Sequence, residues 1–276
     1  MHLLLADVAI HFRYKMVKIA SWNVNSVKAR LPHVIDWLRD ESIDIALLQE
    51  TKCLEEAFPF MELEDLGYNI AVAGQKTYNG VAILSKFPIE DVVKALPGDE
   101  KDEEARYIEG VISSPEGVLR VASVYVPNGT EVGSDRFAYK LKFFDRLREH
   151  AKNLLELDEK LVIGGDYNVA PTDIDVFDAK TLRGTLCFHP DEQEKFRSLE
   201  YIGLTDVFRA KYPEKMQFSW WDYRGGGYQH NKGMRIDHLM LSPLATDSLE
   251  ACDVDENPRK KDKPSDHTPI WCSLAA

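Results

Sequence analysis

Short apolar runs at residues 17–20, 44–48, 68–73, 80–84, 107–112 and 118–126, several of them rich in Val and Ile, predict strands. Between the first two, Val27, Leu31, Val34, Ile35 and Leu38 recur at helical spacing with Trp37 beside them. Asp36, Arg39, Asp40 and Glu41 take the other faces, so this stretch predicts an amphipathic helix crossing from one strand to the next. The second half repeats the order. A long helical stretch through Phe143, Leu147 and His150–Leu154 precedes the strand Leu161-Val162-Ile163; helical segments follow near 192–201 and 204–211, then strands near 217–221, 235–241 and 268–274. Two strand-rich halves with helices in each predict an α/β fold in which two sheets pack face to face with helices outside. No linker, low-complexity tract or strict repeat divides residues 16–276, which are expected to form one domain.

The totals narrow the class. A hydrophobic fraction of 44% and a charged fraction of 29% are ordinary for a globular chain. No segment is apolar for the length needed to span a bilayer, which predicts a soluble protein without a membrane partner. Cys53, Cys187, Cys252 and Cys272 are scattered, with neither a Cys-x-x-Cys pair nor neighbouring His ligands, and read as reduced thiols of a cytoplasmic protein. The start, Met1-His2-Leu3-Leu4-Leu5-Ala6, lacks the basic region and long apolar core of a signal peptide. Met16 stands just before the first convincing strand, so residues 1–15 are expected to be an extension upstream of the natural start. The net charge of −12 repels polyanions, and any nucleic-acid partner therefore needs a local basic patch. Arg259, Lys260, Lys261 and Lys263 form the most compact candidate for contact with a DNA backbone.

Candidate chemistry gathers where apolar segments end. Glu50 follows Ile45-Ala46-Leu47-Leu48 and Asp166 follows Leu161-Val162-Ile163, each at the C-terminal end of a strand, so Asn23, Glu50, Asp166 and Asn168 can converge at one sheet edge. Metal-assisted phosphodiester hydrolysis needs oxygen ligands for a hard cation, a group that orients or deprotonates water, and donors for charged oxygens. Glu50 suits the first task, with Asn25 and Asp266 as helpers. In Gly164-Gly165-Asp166-Tyr167-Asn168, the glycines are expected to turn the chain sharply out of the strand. Asp166 and Asn168, two apart, then face one side, the acid accepting a proton from water and the amide donating to phosphate. Alternation in Asp237-His238-Leu239-Met240-Leu241 sets Asp237 on a face with two leucines, where a carboxylate needs a partner. His267, adjacent to Asp266, is that partner: an acid on one ring nitrogen favours the imidazolium and aims the other N–H at phosphate. His238 reads as packing. Tyr125 ends an apolar run, and its hydroxyl can donate to phosphate or, if ionised, act as a base.

Taken in order, Trp22-Asn23-Val24-Asn25, Gln49-Glu50-Thr51-Lys52, Gly165-Asp166-Tyr167-Asn168-Val169-Ala170-Pro171-Thr172-Asp173, Phe218-Ser219-Trp220-Trp221-Asp222-Tyr223-Arg224, Arg235-Ile236-Asp237 and Ser265-Asp266-His267 resemble the exonuclease III family of abasic-site endonucleases. The acid and amide motifs are shared with the wider superfamily of metal-dependent phosphoesterases that includes deoxyribonuclease I. The Pro-Thr-Asp and Ser-Trp-Trp-Asp-Tyr-Arg segments belong to the DNA-repair branch. The resemblance implies a four-layer α/β sandwich of two mixed β-sheets flanked by helices. It also implies Mg2+-dependent cleavage of duplex DNA 5′ of abasic sites, with 3′→5′ exonuclease and 3′-end-trimming activity. Mn2+ is an expected substitute for the ion, and the chain is an expected monomer. Glu50 is then the principal metal ligand with Asn25 and Asp266 near the ion, and Asp166 aligns or activates water. Asn23, Tyr125, Asn168 and His267 surround the phosphate, Asp237 orients His267, and Trp220 and Met234 line the abasic pocket. Such a pocket admits a bare sugar, whose extrusion avoids much of the roughly few kcal/mol of unstacking that a normal base requires. Two other readings stand beside it: a phosphoesterase of the same superfamily acting on a lipid or inositol phosphate, and a DNA-binding module on a retired catalytic scaffold.

Overall fold

A computed structural model describes residues 16–114 and 117–275, and the proposed extension at 1–15 lies outside the described residues. The first sheet is built from β1 (Met16–Asn23), β2 (Ile45–Gln49), β3 (Asn69–Ala73) and β4 (Val81–Ser85), completed by two C-terminal strands. The second takes β5 (Ile89–Val93), β6 (Tyr107–Ser114), β7 (Gly117–Tyr125), β8 (Lys160–Asp166) and β9 (Thr205–Asp206). A two-stranded ribbon pairs β10 (Trp220–Trp221) with β11 (Gly233–Met234); β12 (Asp237–Leu241) returns to the second sheet, and β13 (Leu249–Val254) and β14 (Ile270–Ala275) to the first. The orders are β13-β14-β1-β2-β4-β3 and β5-β6-β7-β8-β12-β9. Only β1 with β2 and β7 with β8 run parallel, so both sheets are mixed.

Burial follows the alternation of each strand. Ile19, Leu47, Ile83, Val121, Val162, Leu239 and Leu241 point between the sheets and form the central core. The alternate residues Ala20, Leu48 and Leu84 pack outward with Val34 and Leu38 of helix α1 (Val27–Asp40) and with Leu63 of α2 (Phe60–Glu64). On the far side Ala122, Ile163 and Met240 meet Phe143, Phe144 and Leu147 of α3 (Asp135–Leu155). Beyond α4 (Ala179–Leu182), α5 (Pro190–Tyr201) adds Phe196 and Leu199 to the same layer. The expected four-layer order of helix, sheet, sheet and helix is thus present. Each buried Leu or Phe contributes about 1.5–3 kcal/mol of transfer free energy, so these three layers of contact hold the sheets and helices together.

Local readings differ at several points. The segment from 204 is not wholly helical, because β9 occupies Thr205–Asp206 before α6 (Val207–Lys211). The strand expected near 217–221 shrinks to the two residues of β10, and β5, β13 and the short α7 (Pro243–Asp247) had no predicted counterpart. Gly164 and Gly165 do not turn the chain, since β8 runs straight through them. A Cβ at Gly164 would lie 2.6 Å from Leu239 and 2.7 Å from Leu47, and one at Gly165 would strike the Val124 carbonyl at 1.9 Å. Gly164 leaves room for Leu47 of the facing sheet and Leu239 of the adjacent strand, and Gly165 for the β7 backbone beside it in its own sheet.

A carboxylate cluster at the strand ends

Parallel pairing carries the ends of β1 and β2 to the same edge as those of β7 and β8. Antiparallel β12 enters from that edge, with Asp237 opposite Asp166. Asn23, Glu50, Tyr125, Asp166, Asp237 and His267 therefore meet although the chain separates the first and last of them by most of its length. Asn23 Nδ2 donates to Glu50 Oε1 at 2.8 Å and to Asp166 Oδ2 at 2.9 Å, while its Oδ1 accepts from the Asn25 backbone at 3.0 Å. Both amide protons are committed to carboxylates. Asn23 thus bridges Glu50 and Asp166 at the edge where it is expected to meet phosphate.

Asp237 is paired as its buried face required. His267 Nδ1 lies 2.9 Å from Asp237 Oδ2, and Ser219 Oγ donates to the same oxygen at 2.6 Å while accepting from the Ile236 and Asp237 amides. Burial alone would lower the His267 pKa; the Asp237 carboxylate, then Asp166, outweigh it and hold the ring up to about 10. Its Nε2, 3.6 Å from Asp166 Oδ2, is thus a proton donor facing the site. Burial acts the other way on Asp166, and with Asp237 and Glu50 nearby it overcomes His267 and raises that carboxyl to about 7. Glu50 is partly exposed. Burial would raise its pKa, but the Lys52 ammonium 2.6 Å away and the Asn23 amide bring it below the usual carboxylate range.

Asn168 sits beside Asp166, but not by strand alternation. Its backbone is left-handed at φ 51° and its N–H donates to Asp166 Oδ1 at 2.9 Å. Its side chain donates one proton to the Val126 carbonyl at 3.0 Å and accepts from Asn128, leaving one N–H free. Beneath it, the fully buried Lys140 ammonium reaches the Asn168 carbonyl at 2.7 Å and pairs with Glu192. Tyr125 faces Glu50, and burial, with Glu50 and Asp166 adding to it, pushes its phenol well above the usual value. A phenol held in that direction favours the hydroxyl as a donor over an ionised base.

The remaining expected residues form the rim. Asp266 Oδ1 accepts from Asn25 at 2.9 Å and its Oδ2 from Trp220 Nε1 at 3.0 Å. Lys52 also bonds Asn25 Oδ1. Trp220 and Met234 are half-buried cross-strand neighbours packed with Leu186 against a small apolar cluster, whereas Trp221 is wholly buried and bonds Asn231. Of the basic run, Lys260, Lys261 and Lys263 are exposed, but Arg259 is not: its guanidinium stacks 4.7 Å from the Tyr228 ring centre. His238 is buried against Tyr167 and Phe196, and because Arg235 can only donate to its Nδ1, its proton is on Nε2, bonded to the Val169 carbonyl. Ser219, Lys52, Asn128 and Lys140 were not singled out from the sequence. Lys52 and Ser219 lie inside quoted motifs; Asn128 and Lys140 carry no local signal.

Oxygen ligands dominate this edge. Glu50, Asp166 and His267 offer atoms all within 4.8 Å of one another, a spacing that could hold a metal ion. The carboxylates of Glu50 and Asp166, with the Asn25 amide and Asp266 on the rim, supply oxygen donors suited to a hard divalent ion, and His267 completes the group.

The model of the endonuclease/exonuclease/phosphatase family matches residues 20–267. The chain belongs to that family. It is 33% identical over 267 residues to exodeoxyribonuclease III of Haemophilus influenzae, covering 94% of this chain and 100% of the relative. Its fold matches the structure of the Neisseria 3′ phosphatase NExo bound to product DNA hairpin, with a TM-score of 0.91 and 37% identity over 94% of this chain and 100% of that one. An AP endonuclease from Archaeoglobus fulgidus gives a TM-score of 0.89 at 33% identity, with the same coverage of both chains. Within the family the chain is a phosphodiesterase of the exonuclease III and AP endonuclease type. Among the described residues no helix is long and apolar enough to cross a membrane.

Proposed function

We propose that this chain is a cytoplasmic, monomeric DNA-repair enzyme in which residues 16–276 act as one domain. It cuts duplex DNA on the 5′ side of abasic sites and trims and degrades 3′ ends, with magnesium as cofactor and manganese as its substitute. The observation that carries this reading is the convergence at one strand edge of Glu50, Asp166 and the Asp237–His267 pair, joined by Asn23, on a rim that holds Trp220 and Met234. Glu50, with Asn25 and Asp266, holds the ion, which when bound supplies charge neutralisation and water activation. Asp166 aligns the attacking water and takes its proton as oxygen bonds to phosphorus; the P–O3′ bond breaks, and the leaving 3′ oxygen takes up a proton from solvent to end as a hydroxyl. His267, kept protonated by Asp237, donates from Nε2 to an unesterified phosphate oxygen, and the free N–H of Asn168 and the Tyr125 hydroxyl donate to the charge that develops there. Asn23 keeps Glu50 and Asp166 at fixed separation. Trp220 and Met234 receive the bare sugar.

The test is a duplex with one abasic analogue, assayed beside a phosphoinositide, with magnesium and with chelator, and with both product ends identified. Nicking 5′ of the lesion that needs metal is expected. In Glu50→Gln the rate at low magnesium should collapse and recover in part with excess metal, because a neutral amide is a weaker ligand for a hard cation. Normal activity of that variant at low magnesium would remove Glu50 as principal ligand, and cleavage of the phosphoinositide alone would remove DNA as substrate.

A further inference from the structure

Three arginines among the described residues are buried: Arg106, Arg235 and Arg259. Arg106 meets Glu104, and Arg235 meets Asp175 and Asp206. Arg259, 7% exposed, meets no carboxylate, and among the described residues its guanidinium donates to no acceptor; its Nε is buried without a partner. A guanidinium is expensive to bury unpaired. Stacking on Tyr228 at 4.7 Å and Tyr223 at 5.6 Å supports the apolar faces of the group but satisfies none of its donors.

The open side of Arg259 lines a groove whose other walls are Tyr228, Gln229, Asn231, Lys260 and Lys261. The one acid on it, Glu256, is engaged by Gln217 Nε2 at 2.8 Å and by the Tyr228 hydroxyl at 3.4 Å. On a chain of net charge −12, this is a fixed cation flanked by two exposed lysines and two amides. It also connects to the strand-end cluster. Tyr223, under Arg259, donates to the Pro264 carbonyl at 2.7 Å and lies 3.3 Å from Asn25 Nδ2, and Pro264 leads directly into Ser265-Asp266-His267. Pro264 itself lines the groove, so the groove and the cluster adjoin along one segment.

We propose that Arg259 is the anchor of a second phosphate socket, which binds a DNA backbone phosphate flanking the scissile one, with Lys260 and Lys261 as its rim. The socket rests on the reading of the chain as a DNA phosphodiesterase and assigns Arg259 to affinity and register, not to the chemical step. Forked N–H donors held by stacking suit two oxygens of one phosphate, which a mobile lysine does not fix.

The decisive measurement is a methylphosphonate scan, neutralising one backbone phosphate at a time in an uncleaved duplex, for wild type and for Arg259→Met, which keeps an apolar stem on Tyr228. Wild type should lose affinity at several positions; at one flanking position the loss should vanish in the variant. The salt slope of binding should fall in magnitude by about 0.9, and Arg259→Lys should restore most of it. Single-turnover cleavage at saturating DNA should stay within about twofold of wild type. Identical scans and slopes for both proteins, with each folded by near-UV circular dichroism, would reduce Arg259 to a stacking residue and overturn the socket. The same scan with free inorganic phosphate as competitor separates the sources: competition at millimolar phosphate without any coupled DNA position would make it a site for small anions and overturn the proposal. If wild type neither binds nor cuts duplex DNA, it is the functional reading that falls, and the socket with it.

Discussion

Two groups of buried charge lie back to back across β12, and they are balanced differently. Behind the strand, Arg235 donates to Asp175 at 2.6 Å, to Asp206 at 2.8 Å and to His238 at 2.9 Å, with Arg209 also on Asp175. Two guanidinium groups face two carboxylates there. Burial would raise the pKa of both acids, but Arg235 outweighs it and holds each below its usual value. In front, Glu50, Asp166, Asp237 and Asp266 face one imidazolium and the Lys52 ammonium. That group carries an excess of negative charge, and Asp166 is pushed up to about 7 by its burial. The closed set behaves as structure, and the unbalanced set is the one fitted to a cation and a proton acceptor.

The largest test of this contrast is Asp166→Asn. Removing the group that accepts the proton of water should slow the chemical step by up to about 10⁴-fold in single-turnover assays, with binding of an uncleavable abasic duplex unchanged. The same variant should be at least as stable as wild type in urea, because it relieves a carboxylate that folding disfavours. A destabilised, active Asp166→Asn protein would show that the front cluster is structural after all. Arg235→Met makes the opposite prediction. It leaves Asp175 and Asp206 buried and short of partners, so stability should drop by about 3–5 kcal/mol in urea titrations. The rate of the chemical step, measured where the variant is still folded, should change little.

Asn168→Ala lies between the two. It deletes an amide with one N–H unpaired among the described residues, and transition-state stabilisation should fall by about 2.7–4 kcal/mol in kcat/KM. Loss of duplex binding with an unchanged chemical step would return Asn168 to a turn-shaping role.

What could be read in the sequence follows the same division. The ends of β1, β2 and β8 were legible because apolar runs stop at Asn23, Glu50 and Asp166, and Asp237 was legible as an acid on an apolar face, a costly placement that forces a partner. The partners behind the strand were not. Asp175, Asp206 and Arg235 meet through tertiary contacts between three separate segments, and no local period encodes them. Arg259 looked like a member of an exposed basic run; only the fold brings Tyr223 and Tyr228 beneath it. β5 was missed because Ile89-Glu90-Asp91-Val92-Val93 is an edge strand with mostly exposed side chains, which leaves little apolar alternation to detect.

The smallest expected effect is on the acid limb of stability, and it isolates the rear cluster. Asp175 and Asp206 have folded pKa values depressed below the unfolded value of about 3.9. Their contribution is therefore complete above about pH 4 and is lost as pH falls through the folded values, since there the unfolded chain binds more protons. Asp206→Asn should remove one of these titrations. Below about pH 4 the wild-type stability curve should fall more steeply than that of the variant, by at most about 1.4 kcal/mol per pH unit for the single proton involved. Asp206 also caps α6 through the Phe208 amide at 3.0 Å, and Asn retains an oxygen for that bond, so the cap is held constant and the charge alone is changed. Urea titrations of both proteins from pH 5 down to the acid transition read the slope. Parallel curves would mean that Asp206 is as easily protonated in the folded chain as in the unfolded one, and the rear cluster would then lose its standing as a closed, compensated set against the unbalanced one in front.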